Sequence, residues 1–424
     1  MLTIREYTTQ ERETMTFNEM ELVHPLLQAV EEAGYTEPSP IQAEAIPVLL
    51  SGRDIIGCAQ TGSGKTAAFA LPILQRLSKE RSNQIRALIL TPTRELAIQI
   101  YETFRYFGRR LHLHSGVVFG GVSQHPQVEA LTRGIDVLIA TPGRLNDLIN
   151  QGYIHLDGIE IFVLDEADRM LDMGFIHDVK KTIKLLPARR QTMLFSATMP
   201  SEIESLAQTL LKNPAMIKVD PVTRAVESID QRVYMIDKPN KTLLLAELLR
   251  TEDIKNALVF TNTKHGADRV VQKLSQDGFV ARAIHGDKAQ NARQDALKSF
   301  RDGRVQILVA TDIAARGIDI PELSHVVNYD LPDVAETYIH RIGRTGRAGL
   351  GGTAISFCNI DHVDNLRAIE KMTGLKIPVR ESQWPMQIFV KTVKQPRPPR
   401  TEKQTTPGKR FSGPAKPKQR KPER

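Results

Sequence analysis

Three short stretches hold residue types that could do chemistry. "AQTGSGKT" runs Ala59, Gln60, Thr61, Gly62, Ser63, Gly64, Lys65, Thr66. Gly62 and Gly64 let backbone N–H groups turn inward around an anion, and Lys65 supplies a point charge for terminal phosphates. Thr66 offers a hydroxyl to Mg²⁺, and a helix starting there adds its dipole. "DEAD", residues 165–168, follows the apolar run "IFVL" and so sets Asp165 and Glu166 at a strand end. Beside a phosphate cradle, Asp165 is placed to hold Mg²⁺ through water, and Glu166 to orient and deprotonate an attacking water. "HRIGRTGR", residues 340–347, spaces Arg341, Arg344 and Arg347 three apart. Three permanent charges this close call for an anion, unless they form a solvated basic helix face.

The elements that must position these residues are readable from periodicity. "DIIGCAQTGSGKTAAFALPIL" reads as strand, glycine-rich turn, helix. Strand-like runs recur at 86–93, 135–142, 159–168 and 192–198, and again at 257–263, 305–312, 325–332 and 352–358. Several are apolar on both faces, as strands of a covered parallel sheet must be, and helical patterns separate them. Each half therefore reads as a doubly wound α/β domain. The halves also echo one another: "LILTPTRELAIQ" (88–99) resembles "LVFTNTKHGADR" (258–269), and "VLIATPGR" (137–144) resembles "ILVATDIAARG" (307–317). This self-similarity predicts two domains of one architecture.

Composition sets the limits. The 424 residues are 41% hydrophobic, enough for two cores, and carry a net charge of +8. No apolar run approaches the ~18 residues of a membrane helix. "MLTIREYTTQERETMTF" has no apolar region of the kind that opens a secretory signal. Two cysteines 300 positions apart make neither a disulfide framework nor a metal site, so a reduced, cytoplasmic setting is expected. Twelve Lys or Arg and two Asp or Glu fall between 391 and 424, leaving 45 and 47 for the other 390 residues. The basicity thus belongs to a tail that also holds seven prolines and a single aromatic, Phe411. Such a segment cannot bury enough apolar area to fold, and its expected partners are polyanions.

"GYTEPSPIQ" (34–42), "AQTGSGKT", "PTRELA" (92–97), "TPGR" (141–144), "DEAD", "SAT" (196–198), "ARGIDI" (315–320) and "HRIGRTGR" follow one another in an order and spacing that resemble the DEAD-box ATP-dependent RNA helicases. The resemblance covers roughly residues 15–375 and is greatest to short bacterial members with a basic tail. Ala59, where the generic phosphate-loop pattern has glycine, is usual in that family. The resemblance implies two tandem RecA-like domains with ATP and Mg²⁺ in the cleft between them. The expected organisation is an extension (1–14), a first domain (15–213, its adenine-reading segment at 15–43), a linker (214–230), a second domain (231–377) and a disordered basic tail (378–424).

Family positions assign further roles. Arg344 and Arg347 become arginine fingers, answering the need for an anion. Phe17 stacks on adenine, Gln42 reads its edge, and Asp319 touches the ribose. Ser196, Thr198, Asp168 and His340 couple nucleotide state to strand separation, with Arg341 joining His340 in tying its segment to "DEAD" and "SAT". RNA contacts fall to Arg94, Gly121, Thr141 and Arg144 in the first domain, and to Gly286, Arg293, Thr311 and Arg316 in the second. Arginines, hydroxyls and loop backbone suit phosphates and sugars, so binding independent of sequence is expected. The implied activity is RNA-stimulated ATP hydrolysis driving local, non-processive unwinding of short duplexes. An ATP-gated RNA clamp or chaperone, a DNA helicase and a small-molecule kinase are the alternatives; the last leaves the second domain without a role.

Overall fold

The computed structural model describes residues 15–59, 62–80, 82, 84–219, 229–315, 323–346 and 351–388. Two seven-stranded sheets organise them. The first contains β1 (Ile55–Cys58), β2 (Ala87–Leu90), β3 (Ser115–Val118), β4 (Val137–Ala140), β5 (Ile161–Leu164), β6 (Gln191–Ser196) and β7 (Ala215–Lys218), in the order β3-β4-β2-β5-β6-β1-β7. The second contains β8 (Ile229–Met235), β9 (Ala257–Phe260), β10 (Ala281–Ile284), β11 (Ile307–Ala310), β12 (His325–Asn328), β13 (Gly352–Cys358) and β14 (Val379–Arg380), in the order β10-β11-β9-β12-β13-β8-β14. Subtracting seven from each number of the second sheet reproduces the first. The repeat seen in the sequence is therefore structural: residues 88–99 begin in β2 and residues 258–269 in β9, the same place in each sheet.

The ladders are all parallel among the described strands. Parallel central strands are covered by helices on both faces, and the packing follows residue parity. Ile89, Ile139, Val163 and Met193 face one core, while Leu88, Leu138, Phe162 and Leu194 face the other. These side chains are fully buried, and each such residue contributes about 1.5–3 kcal/mol relative to exposure.

Two segments fall differently from the expected boundaries. The stretch 214–230 supplies β7 to the first sheet and the start of β8 to the second, while 220–228 lie outside the described residues. Residues 378–388 are built onto the second domain. β14 pairs with β8, Trp384 packs against that domain's core, and buried Asp237 accepts the Gln387 N–H (2.9 Å) and the Ile388 N–H (3.2 Å). The extension 1–14 and the remaining tail, 389–424, lie outside the described residues. Among the described residues, no helix is long and apolar enough to cross a membrane.

Candidate functional site

Because the described strands all run parallel, their C-terminal ends line one side of each sheet, where α/β proteins place their sites. β1 leads into the phosphate loop. Gly62 and Gly64 take the left-handed conformation (φ 89° and 92°), and the helix Lys65–Leu77 starts immediately after. Lys65 is buried, its Nζ donating to the Ala59 carbonyl at 2.8 Å. Thr66 beside it is half-buried, whereas Gln60 and Thr61 lie outside the described residues.

The segment before this loop is tied to its backbone. Gln42 accepts the Ser39 N–H (2.9 Å) and donates to the Gly64 carbonyl (3.1 Å), and Ser39 Oγ donates to the Ser63 carbonyl (2.7 Å). A Cβ at position 64 would come within 2.5 Å of Gln42 Nε2, so only glycine allows this approach. One N–H and one lone pair of the Gln42 amide remain for a base. Phe17, the other expected adenine contact, is buried in the first core against the edge of Tyr35, ring centroids 6.2 Å apart.

β5 delivers the carboxylates. Asp165 N–H still donates into the sheet, to the Leu90 carbonyl (2.9 Å). Glu166 then turns into the left-handed region (φ 55°, ψ 52°) and heads the short helix Ala167–Asp172. A non-glycine residue there is uncommon and marks strain held by its surroundings. Burial pushes the Asp165 carboxyl up to about 7, against the pull of Lys65, and neighbouring Glu166 adds to the rise. Asp165 Oδ1 is buried with no hydrogen-bond partner. An orphaned carboxylate oxygen of this kind suits Mg²⁺, a cation that prefers oxygen ligands, and the Thr66 hydroxyl at the start of the phosphate-loop helix is a second oxygen donor of the same type. Glu166 is buried and pairs with Arg169, Oε2 to Nη1 2.6 Å.

β6 supplies the third part. Ser196 Oγ accepts the Asp168 N–H (3.1 Å), and Asp168 Oδ2 accepts Ala197 N–H (3.2 Å), Thr198 N–H (2.9 Å) and Thr198 Oγ1–H (3.0 Å). The expected link between "DEAD" and "SAT" is thus a closed set of hydrogen bonds.

The second domain meets this edge with the helix Ala335–Ile342. Arg169 of the first domain and Thr337, His340, Arg341 and Arg344 of the second line one small cavity. Burial, then the positive charge of Arg169, hold the His340 imidazole down at about 4; Asp168 and Glu166 are close enough to oppose that shift. Arg344 is buried, its Nε donating to the His340 carbonyl (3.3 Å). Arg341 departs from expectation. It makes no tie to "DEAD" or "SAT" but binds Asp312, Asn328, Asn262 and the Asp330 carbonyl, all within its own domain. Its guanidinium also sits over the Phe260 ring, 5.0 Å from the centroid. A fork with five donors is most fully satisfied by this cluster of acceptors at the strand ends. Asp319 and Arg347 lie outside the described residues.

The expected RNA residues occupy the other strand ends. Thr141 follows β4 and Thr311 follows β11, which are equivalent strands; Gly121 follows β3 and Gly286 follows β10, again equivalent. Gly121 (φ 79°) lies so close to Arg94 that a Cβ would be 2.2 Å from its guanidinium. Arg144 donates to the Val122 carbonyl (3.0 Å). Burial draws Arg94 below its usual range, and the charges of Arg293 and Arg144 add to the effect. Arg144 Nη1 and Arg293 Nε are buried without a hydrogen-bond partner. Arg316 lies outside the described residues. Sequence reasoning missed a bridge here: Glu95 pairs with Arg293 (2.8 Å) and accepts from Gln290 (3.2 Å), which in turn accepts from Arg94 (3.2 Å). It also missed Arg169, although the spacing of Glu166 and Arg169 on one helical turn was a usable signal.

Comparison with known proteins accords with this arrangement. Residues 39–206 match the DEAD/DEAH box helicase family and 240–349 the helicase conserved C-terminal domain. The chain is 42% identical over 386 residues to ATP-dependent RNA helicase RhlB of Histophilus somni, covering 90% of this chain and 92% of that one. The chain belongs to the DEAD-box ATP-dependent RNA helicases. This DEAD-box chain is likewise 42% identical over 363 residues to ATP-dependent RNA helicase CshA of Limosilactobacillus reuteri, covering 86% of this chain and 73% of that one. Among solved structures, S. cerevisiae Dbp5 bound to RNA and ADP BeF3 superposes on this DEAD-box chain with a TM-score of 0.76, at 34% identity, over 86% of this chain and 95% of that one. The tandem RecA-like fold expected of a DEAD-box protein is therefore the fold observed.

Proposed function

We propose that this DEAD-box protein hydrolyses ATP at the first domain's strand ends only when the second domain supplies Arg344 and Arg347, and that RNA across both domains drives that closure. The observation that carries the reading is the shared cavity, where Arg169 beside Glu166 meets His340 and Arg344. Lys65 and the loop N–H groups bind the phosphates. Asp165 and Thr66 would hold Mg²⁺, which when bound neutralises phosphate charge. Glu166 accepts the proton of the attacking water, and Arg344 and Arg347 meet the negative charge that develops on the transferred phosphoryl group. Gln42 and Phe17 serve adenine, and Asp319 the ribose.

RNA binding rests on Arg94, Gly121, Thr141, Arg144, Gly286, Arg293, Thr311 and Arg316. Arg94, Arg144 and Arg293 converge, and two of their buried donor atoms have no partner; a phosphate would supply both acceptor and counter-charge. Because these residues favour sugar and phosphate, the reading is local, sequence-independent strand separation, with the basic tail assisting. The test compares ATP-driven strand release from short and long RNA duplexes and from a short DNA duplex of the same sequence. Release confined to short RNA supports the proposal. Equal release from long duplexes contradicts the non-processive reading, equal release from DNA contradicts the choice of RNA, and ATP-dependent retention without release favours a clamp.

A further inference from the structure

We propose that Arg169 is a positioning residue that aims the Glu166 carboxylate at the attacking water. The inference rests on the reading of Glu166 as the general base. Glu166 lies in the left-handed region just ahead of the helix Ala167–Asp172, so helical backbone geometry does not fix where its side chain points. Its carboxylate is buried, and a buried carboxylate is held in place by its hydrogen-bonded partners. Arg169 is such a partner, 2.6 Å away and itself only 6% exposed.

Arg169 is in turn fixed on other sides. Its own N–H donates to Asp168 Oδ1 (3.0 Å), whose other oxygen collects the Ala197 and Thr198 donors. The second domain's His340 and Arg344 line the cavity beside it, and the Arg169 charge is felt by His340. The base is thus aimed by a residue tied through Asp168 to the "SAT" segment and facing the opposite domain across the cavity. A charge-assisted bond of this length restricts a long side chain strongly, and about 1 Å of misplacement can cost ~10²-fold in rate.

The test uses full-length protein, a single-stranded oligouridylate as the RNA, and four variants: Arg169→Gln, Arg169→Lys, Glu166→Gln and the double variant Glu166→Gln with Arg169→Gln. Arg169→Gln should lower RNA-stimulated kcat about 10- to 100-fold, leaving KM for ATP and RNA affinity within about threefold. Arg169→Lys, which keeps the charge but not the fork, should recover part of the loss. In single-turnover hydrolysis the double variant should match Glu166→Gln within about twofold, because an aiming residue has nothing to aim once the base is gone. An Arg169→Gln kcat within about threefold of wild type overturns the inference, as does an equal further loss in the Glu166→Gln background. If Arg169→Gln fails to fold, Arg169→Lys and the double variant, which removes the carboxylate charge together with the guanidinium, carry the test: an Arg169→Lys kcat equal to wild type, or a double variant well below Glu166→Gln, overturns it. Near-wild-type hydrolysis by Glu166→Gln alone would instead defeat the base assignment, so the two failures are distinguishable.

Discussion

Arg341 holds Asp312 through two parallel bonds, Nε to Oδ1 at 2.6 Å and Nη2 to Oδ2 at 2.7 Å. The pair sits where β11 ends, and Arg341 reaches Asn328 and the Asp330 carbonyl at the end of β12 as well. Arg344, three residues on, inherits its position from this anchor. The first arginine of the triplet, Arg341, is therefore a structural residue, and the catalytic proposal falls on Arg344 and Arg347.

Replacing Arg341 by alanine removes the partner of a largely buried carboxylate and several further donors. The expected cost is about 3–5 kcal/mol of stability, and Arg341→Lys should recover little, since a point charge cannot satisfy a forked set of acceptors. Urea denaturation of the variants measures this. A loss under about 1 kcal/mol would show that the network is dispensable.

His340 gives the molecule an acid-sensitive contact. Its value of about 4 lies below the ordinary 6.5, held there by burial and by Arg169 and Arg344, with Asp168 and Glu166 opposing. Between these values the unfolded chain binds a proton that the folded chain refuses. The His340 contribution is therefore fully present above pH 6.5 and is lost as pH falls towards 4, by up to about 3 kcal/mol. His340→Gln, which stays neutral, should lose less stability between pH 7 and pH 5 than wild type does. Denaturation midpoints that fall equally in both proteins would contradict this.

The tail, residues 391–424, lies outside the described residues, but its charge makes a quantitative expectation. Its deletion should leave saturated kcat nearly unchanged while RNA affinity falls. If roughly five of its basic residues neutralise phosphates, the slope of log K against log salt should shrink by about 3 to 4. RNA titrations at several salt concentrations decide it; superimposable slopes would reduce the tail to a solubility segment.

The sequence was legible where burial is symmetrical. The interior strands β2, β4, β5, β9, β11 and β12 are apolar on both faces, and their runs stood out. The edge strands β3, β7, β10 and β14 alternate or are exposed, as in the exposed pair Val379–Arg380, and carry no such run. The residues at strand ends were legible for a related reason: a parallel sheet sends every loop after a strand to one side. What stayed hidden depends on distances across the fold. Nothing local shows that Glu95 meets Arg293 nearly two hundred positions away, or that Arg341 turns inward to Asp312. Gln42 was found as a candidate, but its grip on the Gly64 carbonyl required the loop's three-dimensional path.

On the proposed function, hydrolysis at Glu166 depends on an arginine from the other domain, and the Arg344→Ala variant puts that dependence to the test. Arg344 is buried beside His340, in the cavity shared with Arg169, and its proposed partner is charge that develops only in the transition state. RNA-stimulated kcat at saturating ATP should fall by as much as ~10³–10⁵-fold, while ATP affinity without RNA stays within about threefold. A collapse of ATP affinity with kcat preserved would make Arg344 a ground-state ligand and rule out its role as an arginine finger.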